Sequence, residues 1–140
     1  MEARVQTNIY LRFNGTCEEA FKLYAALGGG MIEMLQRFED SPAQDQVPAE
    51  LRKQVLHARL KLGDAVIMGS DAPPGRYQTP DGFSVSLTVD APADAERIFK
   101  ALSEKGTVQM PLAESFFAKR FGMVTDRFGT PWIILGQPSG

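Results

Sequence analysis

Two stretches of this chain follow one plan, a strand, then a helix, then three strands, and this repetition limits the fold more than any other feature. Val5 to Phe13 alternates, with Ile9, Leu11 and Phe13 on one face and Asn8, Tyr10 and Arg12 on the other, as a half-buried strand does. Thr16 and Glu19 then have the spacing of a capping box, which predicts a helix start. Ala20, Leu23, Tyr24 and Leu27 recur at helical spacing, and Gly28-Gly29-Gly30 supplies backbone angles that stop the helix. Met31 to Phe38 reads as the second strand. Glu39 to Glu50, with two prolines among polar residues, reads as a mobile connection. From Gln54 to Leu62, Leu56, Ala58, Leu60 and Leu62 share one face while His57, Arg59 and Lys61 share the other. Gly63-Asp64 then turns into a fourth strand at Ala65 to Met68.

The second stretch repeats the order. Val85, Leu87 and Val89 alternate with Ser84, Ser86 and Thr88, and Ala95, Ile98, Phe99 and Leu102 mark a helix face that Gly106 terminates. Thr107 to Ala113 and Ala118 to Thr125 are strands, with Pro111 demanding an edge or a bulge, and Asp126-Arg127-Phe128-Gly129 turns into a last strand at Thr130 to Gly136. The prediction is one α+β domain over residues 1–140, with βαβββ modules at 5–70 and 83–136 and an exposed linker at 71–82. Helices placed after each first strand should cover the apolar strand faces. The opposite faces, unusually polar, are expected to line a long open cup.

Composition narrows the function. Of 140 residues, 15 are basic and 17 acidic, with no block of like charge, so nucleic acid is not an expected partner. No stretch approaches the roughly 18 apolar residues of a spanning helix, and the start, Met1-Glu2-Ala3-Arg4, has no apolar targeting core, so the expectation is a cytoplasmic protein without a membrane partner. One cysteine, Cys17, and one histidine, His57, exclude an intrachain disulfide and any zinc site built on several Cys or His. A metal would need mostly oxygen ligands.

Three segments in order carry a resemblance: Tyr10-Leu11-Arg12-Phe13-Asn14-Gly15-Thr16-Cys17-Glu18-Glu19-Ala20, then His57-Ala58-Arg59-Leu60, and Arg120-Phe121-Gly122-Met123-Val124-Thr125-Asp126-Arg127-Phe128-Gly129 before Trp132. Together they look like the PhnB-like branch of the glyoxalase/bleomycin-resistance proteins. The resemblance implies the vicinal-oxygen-chelate fold of paired βαβββ modules, and a homodimer whose chains complete each other's cups. Metal enzymes of that superfamily carry a ligand on the first and fourth strand of each module, positions that fall on Asn8, Met68, Ser84 and Ile133. None of these is His, Glu or Asp, so the expectation is no metal and no cofactor. Some members of the branch carry a demethylubiquinone methyltransferase label. A methyl donor's glycine-rich turn joins a strand to a helix, whereas Gly28-Gly29-Gly30 joins a helix to a strand.

The candidate residues follow. His57, the only imidazole, is on a polar strand face and is either a general base or a structural histidine. Glu114 lies in a turn before Ser115-Phe116-Phe117, where the family has an acid near a Phe-Trp pair and Phe117 replaces the tryptophan. It is either a base, a ligand contact or a loop-fixing acceptor. Asn8, Tyr10, Arg12, Ser84 and Ser86 complete the expected ligand-binding set, Arg12 as a fork for an anion. Trp132 is assigned to the core, and Cys17 to buried packing rather than thiolate chemistry. The leading expectation is a metal-independent small-molecule binder. The alternatives are proton-transfer catalysis by His57 or Glu114, a metal-dependent glyoxalase- or dioxygenase-type enzyme, and a methyltransferase-like enzyme.

Overall fold

The computed structural model describes residues 3–139; the N-terminal reading at Met1 and Glu2 lies outside the described residues, as does Gly140. Two compact units meet between Tyr77 and Gln78, inside the expected linker. Unit 1 contains β1 (Ile9–Phe13), α1 (Cys17–Leu27), β2 (Met31–Arg37), β3 (Val55–Leu62) and β4 (Ala65–Asp71), with strand order β1-β4-β3-β2. Unit 2 contains β5 (Val85–Val89), α2 (Pro92–Ser103), β6 (Thr107–Ser115), β7 (Ala118–Thr125) and β8 (Pro131–Pro138), in the order β5-β8-β7-β6. Each is a βαβββ module in which the first strand pairs in parallel with the fourth and all other pairs are antiparallel. The α+β class is as expected. Among the described residues no helix is long and apolar enough to cross a membrane.

In unit 1, α1 buries Cys17, Ala20, Phe21, Tyr24 and Leu27 against Leu11, Phe13, Ala58, Leu60 and Ile67 of the sheet. Phe21, not Leu23, completes the buried helix face, and its ring meets Phe13 edge-on at 5.9 Å. The same ring explains Gly69 on β4: a Cβ there would stand 2.8 Å from the Phe21 ring and 3.0 Å from the Leu11 carbonyl, so only glycine lets helix and sheet approach this closely. In unit 2, Ala95, Ile98, Phe99 and Leu102 are buried as the periodicity predicts, over Val85, Val124, Trp132 and Ile134.

Several local expectations are corrected. Thr16 is the N-cap of α1 but makes no side-chain cap hydrogen bond, so the capping box does not form. The Cys17 amide instead donates to Asp71 Oδ1 at 2.9 Å, and the Val55 amide donates to Asp71 Oδ2 at 2.9 Å. Asp71, assigned to an exposed linker, is therefore the buried last residue of β4, joining the starts of α1 and β3. An extra residue at Leu56 breaks the β3 register, so Val55 rather than Leu56 is buried. The connection expected over residues 39–50 contains 3-10 turns at Phe38–Asp40, Pro42–Gln46 and Ala49–Leu51, which the composition did not indicate. Gly106 does not end α2 by its own backbone angle. Lys105 takes the left-handed conformation at φ 58°, and Gly106 is required because a Cβ would stand 2.5 Å from the Thr125 carbonyl oxygen.

Cys17 is buried at the helix start, and burial pushes its thiol up, with the Asp71 and Glu18 carboxylates adding to the effect. The dipole of α1 does not make a thiolate here. Native protein at pH 8 is expected to react with Ellman's reagent at less than a hundredth of the rate of urea-unfolded protein. Comparable rates in the two states would show that Cys17 is accessible.

Candidate functional site

The open face of unit 1 follows from its register. Tyr10 lies across from Met68, Met68 from Arg59, and Arg59 from Met34, while Arg12 pairs with Ser70 and Gln36 with His57. The face is mixed and mainly polar, as expected. Here the structure brings two predicted residues together: Tyr10 Oη lies 3.3 Å from His57 Nδ1, and the two rings stack at 5.7 Å with planes 22° apart. The phenol and the imidazole thereby fix one another's orientation, and Nε2 of the ring has no hydrogen-bonding partner among the described residues. Arg12 is exposed, and its guanidinium has no ion-pair or hydrogen-bonding partner among the described residues. Asn8 is used locally, its amide donating to the Val66 carbonyl at 3.3 Å. Arg59 is engaged by Glu33 at 3.2 Å; Glu33 is the residue displaced by a bulge in β2.

The open face of unit 2 departs from expectation, because β7 and β8 present Phe121, Met123, Ile133 and Leu135 on it rather than polar side chains. A cleft of about 490 Å³ opens there, entirely within this unit. Met123, Pro131 and Ile133 contribute to its apolar part, and Ser84, Gln109 and Thr125 bring neutral hydrogen-bonding groups to it. Gln109 reaches it through backbone irregularity. Val108 pairs with Val124 and Met110 with Met123, so Gln109 is the extra residue of a bulge, and its amide donates to Thr125 Oγ1 at 2.9 Å. Pro111 follows in the same irregular stretch of an edge strand, as predicted for that proline.

Trp132 is 1% exposed and its indole donates to Asp126 Oδ2 at 2.9 Å, which bears out its assignment to the core, although the residue also borders the cleft between Pro131 and Ile133. Asp126 is itself buried, and its Oδ1 accepts from the Phe128 and Thr130 amides at 2.9 and 3.1 Å. Of the other predicted residues, Ser84 borders the cleft and Ser86 lies exposed across from Ile133. Glu114 is in β6, not in a turn, and is exposed. It neither borders the cleft nor fixes a loop by a hydrogen bond among the described residues. Its neighbour Phe117 packs on Phe121 at 5.0 Å, and Phe116 is 96% exposed. Sequence reasoning missed Gln109, Thr125, Met123, Asp81 and Phe83 in the cleft. Asp81 and Phe83 sit beside a turn-like Pro80-Asp81-Gly82, which gave no binding signal.

The metal positions implied by the fold do not fit a divalent ion. The β1–β4 register sets Tyr10 beside Met68 and leaves Asn8 two rungs away, and the β5–β8 register sets Ser86, not Ser84, beside Ile133. Either choice offers amide, hydroxyl, phenol, thioether and hydrocarbon groups, without a carboxylate or an imidazole. Among the described residues no group of three His, Cys, Asp or Glu is placed to hold an ion.

Paired βαβββ modules of this strand order define a protein of the glyoxalase/bleomycin-resistance fold. A glyoxalase family protein from Bacillus cereus superposes with a TM-score of 0.67 over 100% of this chain and 97% of that one, at 14% identity, a likeness of fold alone. A family model described as 3-demethylubiquinone-9 3-methyltransferase matches residues 6–135, and the chain belongs to this family. The crystal structure of protein PA1353 from Pseudomonas aeruginosa is 45% identical, with a TM-score of 0.85 over 96% of this chain and 98% of that one. Protein YjdN of Escherichia coli strain K12 is 32% identical over 133 residues, 89% of this chain and 90% of that protein.

Proposed function

We propose that this PhnB-like protein binds a small molecule in the cleft of unit 2, without a catalytic metal and as the homodimer that its family resemblance implies. The cleft carries the reading. At about 490 Å³ it falls within the ~300–1,000 Å³ of small-molecule sites, and it combines an apolar wall with a few separated polar groups, the usual composition of such a site. The donor chemistry at Asn8, Met68, Ser84 and Ile133 supports the metal-free part. Methyl transfer has only the family description behind it, since Gly28-Gly29-Gly30 joins α1 to β2 and makes no phosphate-binding or donor-binding turn between strand and helix.

One observation favours a second reading. The Tyr10–His57 pair holds an imidazole on an open strand face, the arrangement a proton-transfer enzyme needs. Both readings are tested with fractionated metabolite extracts. Trp132, the chain's only tryptophan, borders the cleft, so a binding fraction is expected to change its fluorescence. Ile133→Phe, which fills the cleft, should abolish that change without lowering Tm. An unchanged response in Ile133→Phe would remove the cleft as the binding site. Recovery of a chemically altered ligand from wild type but not from His57→Ala would replace sequestration by catalysis. Stoichiometric manganese, iron, nickel or zinc in the purified protein would refute the metal-free reading.

A further inference from the structure

The charge and hydrogen-bonding character of the unit 2 cleft narrows what it can hold. Among the described residues Asp81 is its only charged bordering residue, and no lysine, arginine or histidine borders it. Asp81 Oδ1 accepts from the Gly82 amide at 2.8 Å, which holds the carboxylate in place and leaves Oδ2 without a partner among the described residues. Gln109 commits its amide nitrogen to Thr125, and its carbonyl oxygen is an acceptor without a partner among the described residues. Phe83, two residues from Asp81, is 46% exposed and borders the same opening. The groups left for a ligand are thus a carboxylate oxygen, an amide oxygen, the Ser84 hydroxyl and an aromatic face. The carboxylate and amide oxygens call for a donor, the Ser84 hydroxyl serves either a donor or an acceptor, and the carboxylate and the ring favour positive charge. An anionic ligand would meet Asp81 with no compensating cation.

We infer that the cleft selects a small molecule made of an apolar body and a protonated amine, the body against Met123 and Ile133 and the ammonium between Asp81 and Phe83. This rests on the cleft being the binding site, and it adds a ligand class that the fold does not dictate. Asp81 is exposed, so solvent weakens its attraction. Carboxylate and ring together are worth on the order of tenfold in affinity.

Three isosteric probes test it by Trp132 fluorescence: 2-phenylethylamine, 2-phenylethanol and phenylacetate. The amine is expected to bind on the order of tenfold tighter than the alcohol, with phenylacetate weakest and the amine's advantage shrinking as salt is raised. Asp81→Asn should bring the amine to the level of the alcohol and leave the alcohol unchanged. If phenylacetate matches the amine, or if Asp81→Asn leaves the amine-to-alcohol ratio intact, the inference is overturned. Should the alcohol then still bind in wild type and fail in Ile133→Phe, the cleft stands as a site and only its preference for cations falls. If none of the three probes binds, both readings fall together.

Discussion

Asp71→Ala is expected to destabilise unit 1 by about 3 kcal/mol, because it removes the acceptor of two buried amides and leaves both unsatisfied. The two amides belong to Cys17 and Val55, so a single carboxylate fixes both the start of the helix and the start of β3. Nothing local replaces it, since Thr16 makes no capping hydrogen bond. Because the chain divides into two units, one global transition should not be assumed, and unit 1 needs its own reporter. Cys17 supplies it: the rate of its modification in native buffer measures opening of the structure around it. A stability loss of about 3 kcal/mol corresponds to a modification rate roughly a hundredfold faster, with Asp71→Asn intermediate because one oxygen remains. A change below threefold would mean that water takes over the carboxylate's role and that Asp71 is dispensable.

Asp126→Ala is the counterpart in unit 2, with an expected loss of about 4 kcal/mol. Here one carboxylate accepts from two backbone amides of the β7–β8 turn and from the indole of Trp132. Removing it leaves the turn to its two backbone hydrogen bonds, Asp126 N–H to the Thr130 carbonyl and Gly129 N–H to the Asp126 carbonyl, and takes away the acceptor of a buried indole N–H. Urea unfolding followed by Trp132 fluorescence reads this unit directly, and the midpoint should fall with little change in slope. Trp132→Phe removes the indole donor together with some ring volume and also the fluorescent reporter, so the four proteins are compared by circular dichroism, and the cost of losing Asp126 in that background should be smaller. The difference between the two backgrounds isolates the bond from the turn. Equal costs in both would show that the indole–carboxylate contact contributes nothing. Since Trp132 also borders the cleft, Asp126→Ala should weaken probe binding as well as stability.

The architecture was largely legible because periodicity and punctuation agree. Alternation gave the strands, the 3.6-residue stripe gave Ala95, Ile98, Phe99 and Leu102, and Trp132 was placed in the core by parity alone. What sequence could not show lies where pairing between distant segments decides. Asp71 looked like linker because its role is to reach back to residues met much earlier in the chain. Leu56 and Gln109 sit at bulges created by register with a neighbouring strand, so parity assigned Leu56 to the wrong face and gave no reason to send Gln109 into a cleft. Glu114 looked like a turn residue because β6 runs longer than its apolar pattern. Tyr10 and His57 were placed separately on polar faces, yet their meeting needed β4 to lie between β1 and β3. The metal positions were legible as chemistry, and the register then changed which residues face one another without adding a better donor.

The parallel pairing of each first strand with its fourth has a consequence for the order in which the chain acquires structure. Ile9 waits for Ile67, and Val85 waits for Trp132, so the earliest strand of each unit to leave the ribosome is the last to find its partner. Until then β1 and β5 are unpaired edges, the form in which strands are captured by neighbouring chains. Each unit is continuous in sequence, however, so the first can close while the second is still being synthesised. The topology that exposes a strand thus also confines the exposure to one unit at a time.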